Sequence, residues 1–104
     1  MKKKDFEAWL EARVTQPVVR GLNTNNAWGF GGACDKNIYR IDAVTIVTGT
    51  ACYRHMPSTK FIRVDLCRGD RSGYGELHEI QSPKAFDKTV KFITEYFAST
   101  GKTI

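Results

Sequence analysis

One apolar stripe near the C-terminal end restricts the fold more than any other feature. Phe86, Val90, Ile93 and Phe97 recur at intervals of four, three and four, the spacing of a single helical face. Ser82-Pro83 ahead of them offers an N-cap and a first-turn proline, and Gly101 stands where such a helix would end. Asp87 and Lys91 form an i,i+4 pair of favourable polarity. Each large apolar side chain stabilises by ~1.5–3 kcal/mol when fully buried. The helix therefore requires an apolar partner surface, which the rest of the chain must supply.

The segment before it reads as β-structure. Ile38 to Thr48 is rich in β-branched residues and apolar on both parities, which predicts a central strand covered on both faces. Gly49-Thr50 reads as a bulge or bend before Ala51-Cys52-Tyr53-Arg54, and Met56-Pro57-Ser58-Thr59 as a turn. From Phe61 to Cys67 alternation is strict: Ile62, Val64 and Leu66 face one way, Phe61, Arg63, Asp65 and Cys67 the other. Arg68-Gly69-Asp70-Arg71-Ser72-Gly73 is turn chemistry, and Tyr74 to Ile80 a further strand. Arg68-Gly69-Asp70 is also the tripeptide read by integrins, and three residues recur too easily for that to weigh against the turn.

At the other end, Phe6, Trp9, Leu10 and Arg13 predict a short helix over residues 5–14, with Asp5 serving its first amides and Gln16-Pro17 ending it. The expected fold class is α+β: an N-terminal helix, a long loop, a three- or four-stranded antiparallel sheet, and a C-terminal helix packed on one face. The 104 residues form one domain, 1–104. No internal repeat or low-complexity segment interrupts it.

Composition narrows the setting. Hydrophobic content of 41% and charged content of 26% are those of an ordinary globular protein. No apolar run approaches the ~20 residues that span a bilayer. The acidic residues Asp5, Glu7 and Glu11 interrupt any signal-peptide core behind Lys2-Lys3-Lys4. The three cysteines, Cys34, Cys52 and Cys67, leave one unpaired under any disulfide scheme, which fits a reducing compartment and a cytoplasmic protein. The net charge of +5 favours nucleic-acid or acidic protein partners, although no dense basic block follows Lys2-Lys3-Lys4.

Residues 23–37 are the strongest candidate contact surface. The segment has three glycines, four asparagines and two large aromatics, with no helical period and little alternation. A loop this long inside a compact domain is often functional or disordered, and Trp28 and Phe30 argue against disorder. Candidate binding residues are Asn25, Asn26, Trp28 and Phe30 in this loop, with Arg40, Arg63, Arg68 and Arg71 supplying positive charge. Aromatics of this kind anchor protein interfaces or stack on bases. They serve equally as an ordered plug over a sheet edge. The glycines lack the Lys-Ser/Thr of a phosphate loop, so no cofactor is expected.

Two constellations could carry chemistry. If Leu77 joins Ile62, Val64 and Leu66 in the core, then Arg63 shares the other face with Glu76 and His78. A His, a carboxylate and an Arg on one sheet face can run acid–base chemistry on RNA, the histidine moving the proton and the arginine meeting phosphate charge. His55 with Arg54 is a further variant of the same idea. The alternative is a solvated ladder of ion pairs. Cys52 and His55 have the spacing of a zinc half-site, with Cys34 and Cys67 available. Strand geometry places residues three apart on opposite faces, and no second close pair exists, so no metal site is expected.

A stand-alone basic domain without a catalytic motif, carrying an aromatic, Asn/Gly-rich loop, resembles in type the small accessory proteins of phages and mobile elements. These include inhibitors of host defence such as anti-CRISPR proteins. The resemblance implies a non-enzymatic interaction protein that binds and modulates or inhibits a larger macromolecular target, most directly a protein. The alternatives are a small basic ribonuclease or toxin using His78, Arg63 and Glu76, and a nucleic-acid-binding domain without catalysis.

Overall fold

The computed structural model describes residues 1–24, 33–53, 56–68, 71–79 and 82–104, with side-chain surroundings for 1–22, 35–50, 59–66 and 82–104. The element order is α1 (Lys3–Glu11), β1 (Val19–Thr24), β2 (Ala33–Ile41), β3 (Val44–Tyr53), β4 (Met56–Arg68), β5 (Arg71–Glu79) and α2 (Lys84–Ser99). The strands form one antiparallel meander in the order β1-β2-β3-β4-β5. The arrangement is α+β, as expected, with more β-structure than the sequence reading allotted.

The additional β-structure is β1, where no strand was expected, and the hairpin of β2 and β3 in place of one strand over Ile38–Thr48. Asp42 and Ala43 form a two-residue turn between the paired Ile41 and Val44. Tyr39 and Ile41 precede the turn at odd positions, and Val44 and Ile46 follow it at even ones. All four are buried in the same core cluster. A two-residue turn reverses parity, so one apolar face crossing it looks apolar on both parities. The Ile38–Thr48 stretch is thus two one-sided strands rather than one two-sided strand. Asp42 takes the turn at φ 51°, in the left-handed region that aspartate tolerates better than most residues. Its amide donates to Thr15 Oγ1 at 2.8 Å, and its carboxylate meets Lys102 Nζ at 2.9 Å.

Two further differences concern boundaries. Ala33–Asn37 lies in β2 and Asn23-Thr24 in β1, so the expected loop of residues 23–37 is strand at both ends. Residues 25–32 lie outside the described residues. Met56–Thr59 belongs to β4 instead of a turn.

Both helices cover the same face of the sheet. Ile46, Ile62 and Val64 are fully buried there together with Phe6 and Leu10 of α1 and Ile93 of α2. Phe86 and Phe97 complete the stripe read from the sequence, and the Phe6 and Phe86 rings lie 5.1 Å apart at 38°. Arg13 folds back over Trp9, its guanidinium 4.3 Å from the ring centre and its Nη1 donating to the Trp9 carbonyl at 2.9 Å. α1 is shorter than expected and ends at Glu11 with Ala12 as its C-cap, well before Pro17.

α2 stops as its glycine indicates. Gly101 sits at φ 81°, its amide donates to the Ala98 carbonyl at 3.1 Å, and the Lys102 amide donates to the Phe97 carbonyl at 2.9 Å. These are the two bonds of a Schellman cap. At the other end the Ser82 carbonyl accepts from the Ala85 amide at 3.1 Å, but no side chain caps the helix. Among the described residues no helix is long and apolar enough to cross a membrane.

Candidate functional site on the helix-free sheet face

Residues paired across antiparallel strands share a face. With Tyr39, Ile41, Val44, Ile46, Ile62, Val64 and Leu66 committed to the helix side, the register defines the other side row by row. One row runs Val19–Ile38–Val47–Arg63–Leu77 across all five strands. The next runs Arg40–Thr45–Asp65–Gly75, and a third Gly49–Phe61–Glu79. Two of the sequence-derived binding residues, Arg40 and Arg63, therefore lie on one face in neighbouring rows.

The rows are graded in exposure. Val47 and Phe61 are each only 1% exposed, while Val19 at the edge is 45% exposed. Ile38, Thr45, Arg63 and Asp65 are half-buried, and Arg40 is exposed. Arg63 Nε donates to Asp65 Oδ1 at 2.8 Å, two residues along the same strand face. Their side chains are 18% and 17% exposed. Pairing at this depth neutralises most of both charges toward an approaching partner. Arg40 is held through its backbone, its carbonyl accepting from the Thr15 amide at 2.8 Å and from Thr15 Oγ1 at 3.3 Å. The face therefore combines an apolar centre, a neutralised ion pair and one exposed guanidinium.

The hairpin constellation does not assemble as expected. Glu76 stands opposite Val64 and His78 opposite Ile62, in the rows of the helix-facing side, while Leu77 stands opposite Arg63. The cause is a bulge. At the closing end of the hairpin Arg68 pairs with Arg71, and carried inward unbroken that register would set Glu76 opposite Arg63. An irregularity between Leu66 and Arg68 shifts it by one residue, and a one-residue shift moves every following position to the other face.

The other sequence-derived residues are placed only in part. Arg68 and Arg71 pair at the end of β4 and the start of β5, away from the Arg40–Arg63 rows, and their side chains are not among those described. Asn25, Asn26, Trp28, Phe30, Arg54 and His55 lie outside the described residues, as do Gly69 and Asp70 of the Arg-Gly-Asp turn. Cys34, Cys52 and Cys67 have backbone positions in β2, β3 and β4. Among the described residues no three His, Cys, Asp or Glu side chains converge on a metal-sized site.

Sequence reasoning missed Val19, Ile38 and Val47 as one row. The signal existed: Val47 breaks the even-position pattern of Val44, Ile46 and Thr48. It became legible only with the turn at Asp42-Ala43 in place. Comparison of the chain with family models, with curated proteins and with solved structures found no match.

Proposed function

We propose that the protein is a non-enzymatic interaction domain that occupies the surface of a larger macromolecular target, and so modulates or inhibits it, through the helix-free face of its sheet. The observation that carries this reading is the distribution of the two helices. Both pack on one side, and the opposite side exposes Val19 and Arg40, with Ile38 half-buried between them and Val47 buried behind. Interfaces combine apolar centres with arginine in this way, while lysine and unpaired acidic groups are depleted from them.

Charge favours a protein over a nucleic acid as the target. Nucleic-acid affinity grows with the number of phosphates neutralised. Among the described side chains this face offers two arginines, one of them already paired with Asp65. The register also argues against the ribonuclease reading, since it sets Glu76 and His78 in different rows from Arg63. The type of protein the sequence resembles, phage-borne inhibitors of host defence, works by occupying surfaces, and a cytoplasmic site of action fits the odd cysteine count.

The test is affinity capture from bacterial lysate with and without nuclease. The reading expects a discrete, stoichiometric protein that survives nuclease. Recovery of nucleic acid alone, lost on nuclease treatment, would replace it with nucleic-acid binding.

A further inference from the structure

Leu22 joins the helix-free face through a bulge. Val19 stands opposite Ile38, and Leu22 opposite Lys36. Three steps of β1 thus match two of β2, and residues two apart on β2 share a face. In a regular strand Val19 and Leu22 would lie on opposite faces, and the extra residue of a bulge returns them to one. Gly21 takes up that residue at φ 67°, in the left-handed region that glycine enters freely, and its amide donates to Asn37 Oδ1 at 3.1 Å. Val19 and Leu22 therefore stand side by side at the edge of the sheet. At 45% and 39% exposure they are the exposed large hydrophobics among the described residues.

Charge selects what this pair meets. Arg40 follows Ile38 on the same face of β2, ~7 Å further along the strand. It is exposed, and its guanidinium makes no ion pair among the described residues. The acid among the described side chains of these rows, Asp65, is bound to Arg63. Two aliphatic side chains beside an uncompensated guanidinium complement an apolar side chain beside a carboxylate. A second copy of the chain brings the same cation and no free acid. A nucleic acid needs several cations and gains little from aliphatic side chains.

The register of β1 is irregular on both sides of Leu22. Such an edge lacks the regular spacing that an added strand would pair with, so the contact is made by side chains. Resting on the reading of this face as the interaction surface, we propose that its partner is an acidic protein segment. A Leu, Ile, Val or Phe side chain of that segment packs on Val19 and Leu22, and a neighbouring Asp or Glu meets Arg40.

The experiment is selection of a random dodecapeptide library displayed on phage against the whole chain, in ~0.15 M salt to screen its net charge. The most enriched peptides are synthesised and their affinity read by fluorescence anisotropy. The expected peptides carry net negative charge and a Leu, Ile, Val or Phe next to Asp or Glu. Leu22→Asp should weaken them roughly tenfold or more and Arg40→Glu roughly fivefold or more, with Leu22→Ala in reserve if circular dichroism shows the aspartate variant unfolded. Lys88→Glu/Lys91→Glu, on α2, should leave the affinity unchanged. The proposal is overturned by no enrichment over uncoated support, by neutral or basic peptides, by affinity unchanged in both face variants, or by a loss with the α2 variant instead. Self-association of the chain that Leu22→Asp abolishes, read by sedimentation velocity, would replace the acidic segment with a second copy. A nuclease-resistant target captured from lysate despite a failed selection would leave the interaction reading standing and remove this partner chemistry alone.

Discussion

Truncating Phe6 tests how the helix layer is held to the sheet. Phe6 is fully buried in the core cluster, and its ring lies 5.1 Å from Phe86 of α2. Phe→Ala at such a site costs about 3–5 kcal/mol, the lost burial plus the cavity left behind. That is a large share of the ~5–15 kcal/mol expected for a domain of this size. At ~4–8 °C per kcal/mol, the melting temperature should fall by at least about 12 °C. Beyond area, a tilted ring pair adds ~0.5–1.5 kcal/mol, readable as the coupling in a Phe6→Ala/Phe86→Ala double-mutant cycle. Urea unfolding followed by circular dichroism, with the slope held constant between variants, measures both. Phe6→Leu keeps the cycle usable if the alanine variant leaves too little folded protein. A cost below ~1 kcal/mol for Phe6→Ala together with zero coupling would refute the packing of α1 against α2.

Two other predictions follow from the turn and the core. Asp42 adopts φ 51°, so Asp42→Gly should be more stable than Asp42→Ala by ~1–2 kcal/mol in urea unfolding, because both lose the Lys102 pair and only alanine keeps the left-handed strain. Burial raises the Tyr39 hydroxyl above its ordinary pKa of 10.0, with the nearby Glu7 and Glu11 adding to the effect and Arg20 opposing it. The native state then keeps its proton where the unfolded chain has lost it. The stabilisation is complete below pH 10 and declines as pH climbs from there through the raised native value. Tyr39→Phe should flatten that alkaline decline. Its cost near neutral pH should be small, since the hydroxyl makes no hydrogen bond among the described residues.

The parts of the fold legible in the sequence are those with a long, single-period pattern. The stripe of α2 and the Phe6–Leu10 face of α1 are both buried as their spacing implies. The alternation of Ile62, Val64 and Leu66 likewise placed β4 on the core. What stayed hidden depended on single residues that change parity. Asp42-Ala43 carries no glycine or proline, so a hairpin read as one strand. The bulge between Leu66 and Arg68 moved Glu76 and His78 into other rows than Arg63, and the Ser72-Gly73 pair opposite it read as part of the turn. For the candidate site, Arg40 and Arg63 were legible as exposed-side cations. Their shared face was not, because it follows from pairing across three strands.

The most direct measurement is affinity capture with the face itself altered. Val19 and Arg40 are both exposed on the helix-free side, so Val19→Asp/Arg40→Glu should leave folding within about 0.5 kcal/mol of wild type. Lys88→Glu/Lys91→Glu, on the exposed side of α2, makes a charge change of similar size on the opposite layer. The account predicts that the first variant loses at least tenfold in recovery of the nuclease-resistant protein target while the second retains it. Recovery unchanged by the first variant, or lost with the second instead, would contradict an interaction surface on this face of the sheet.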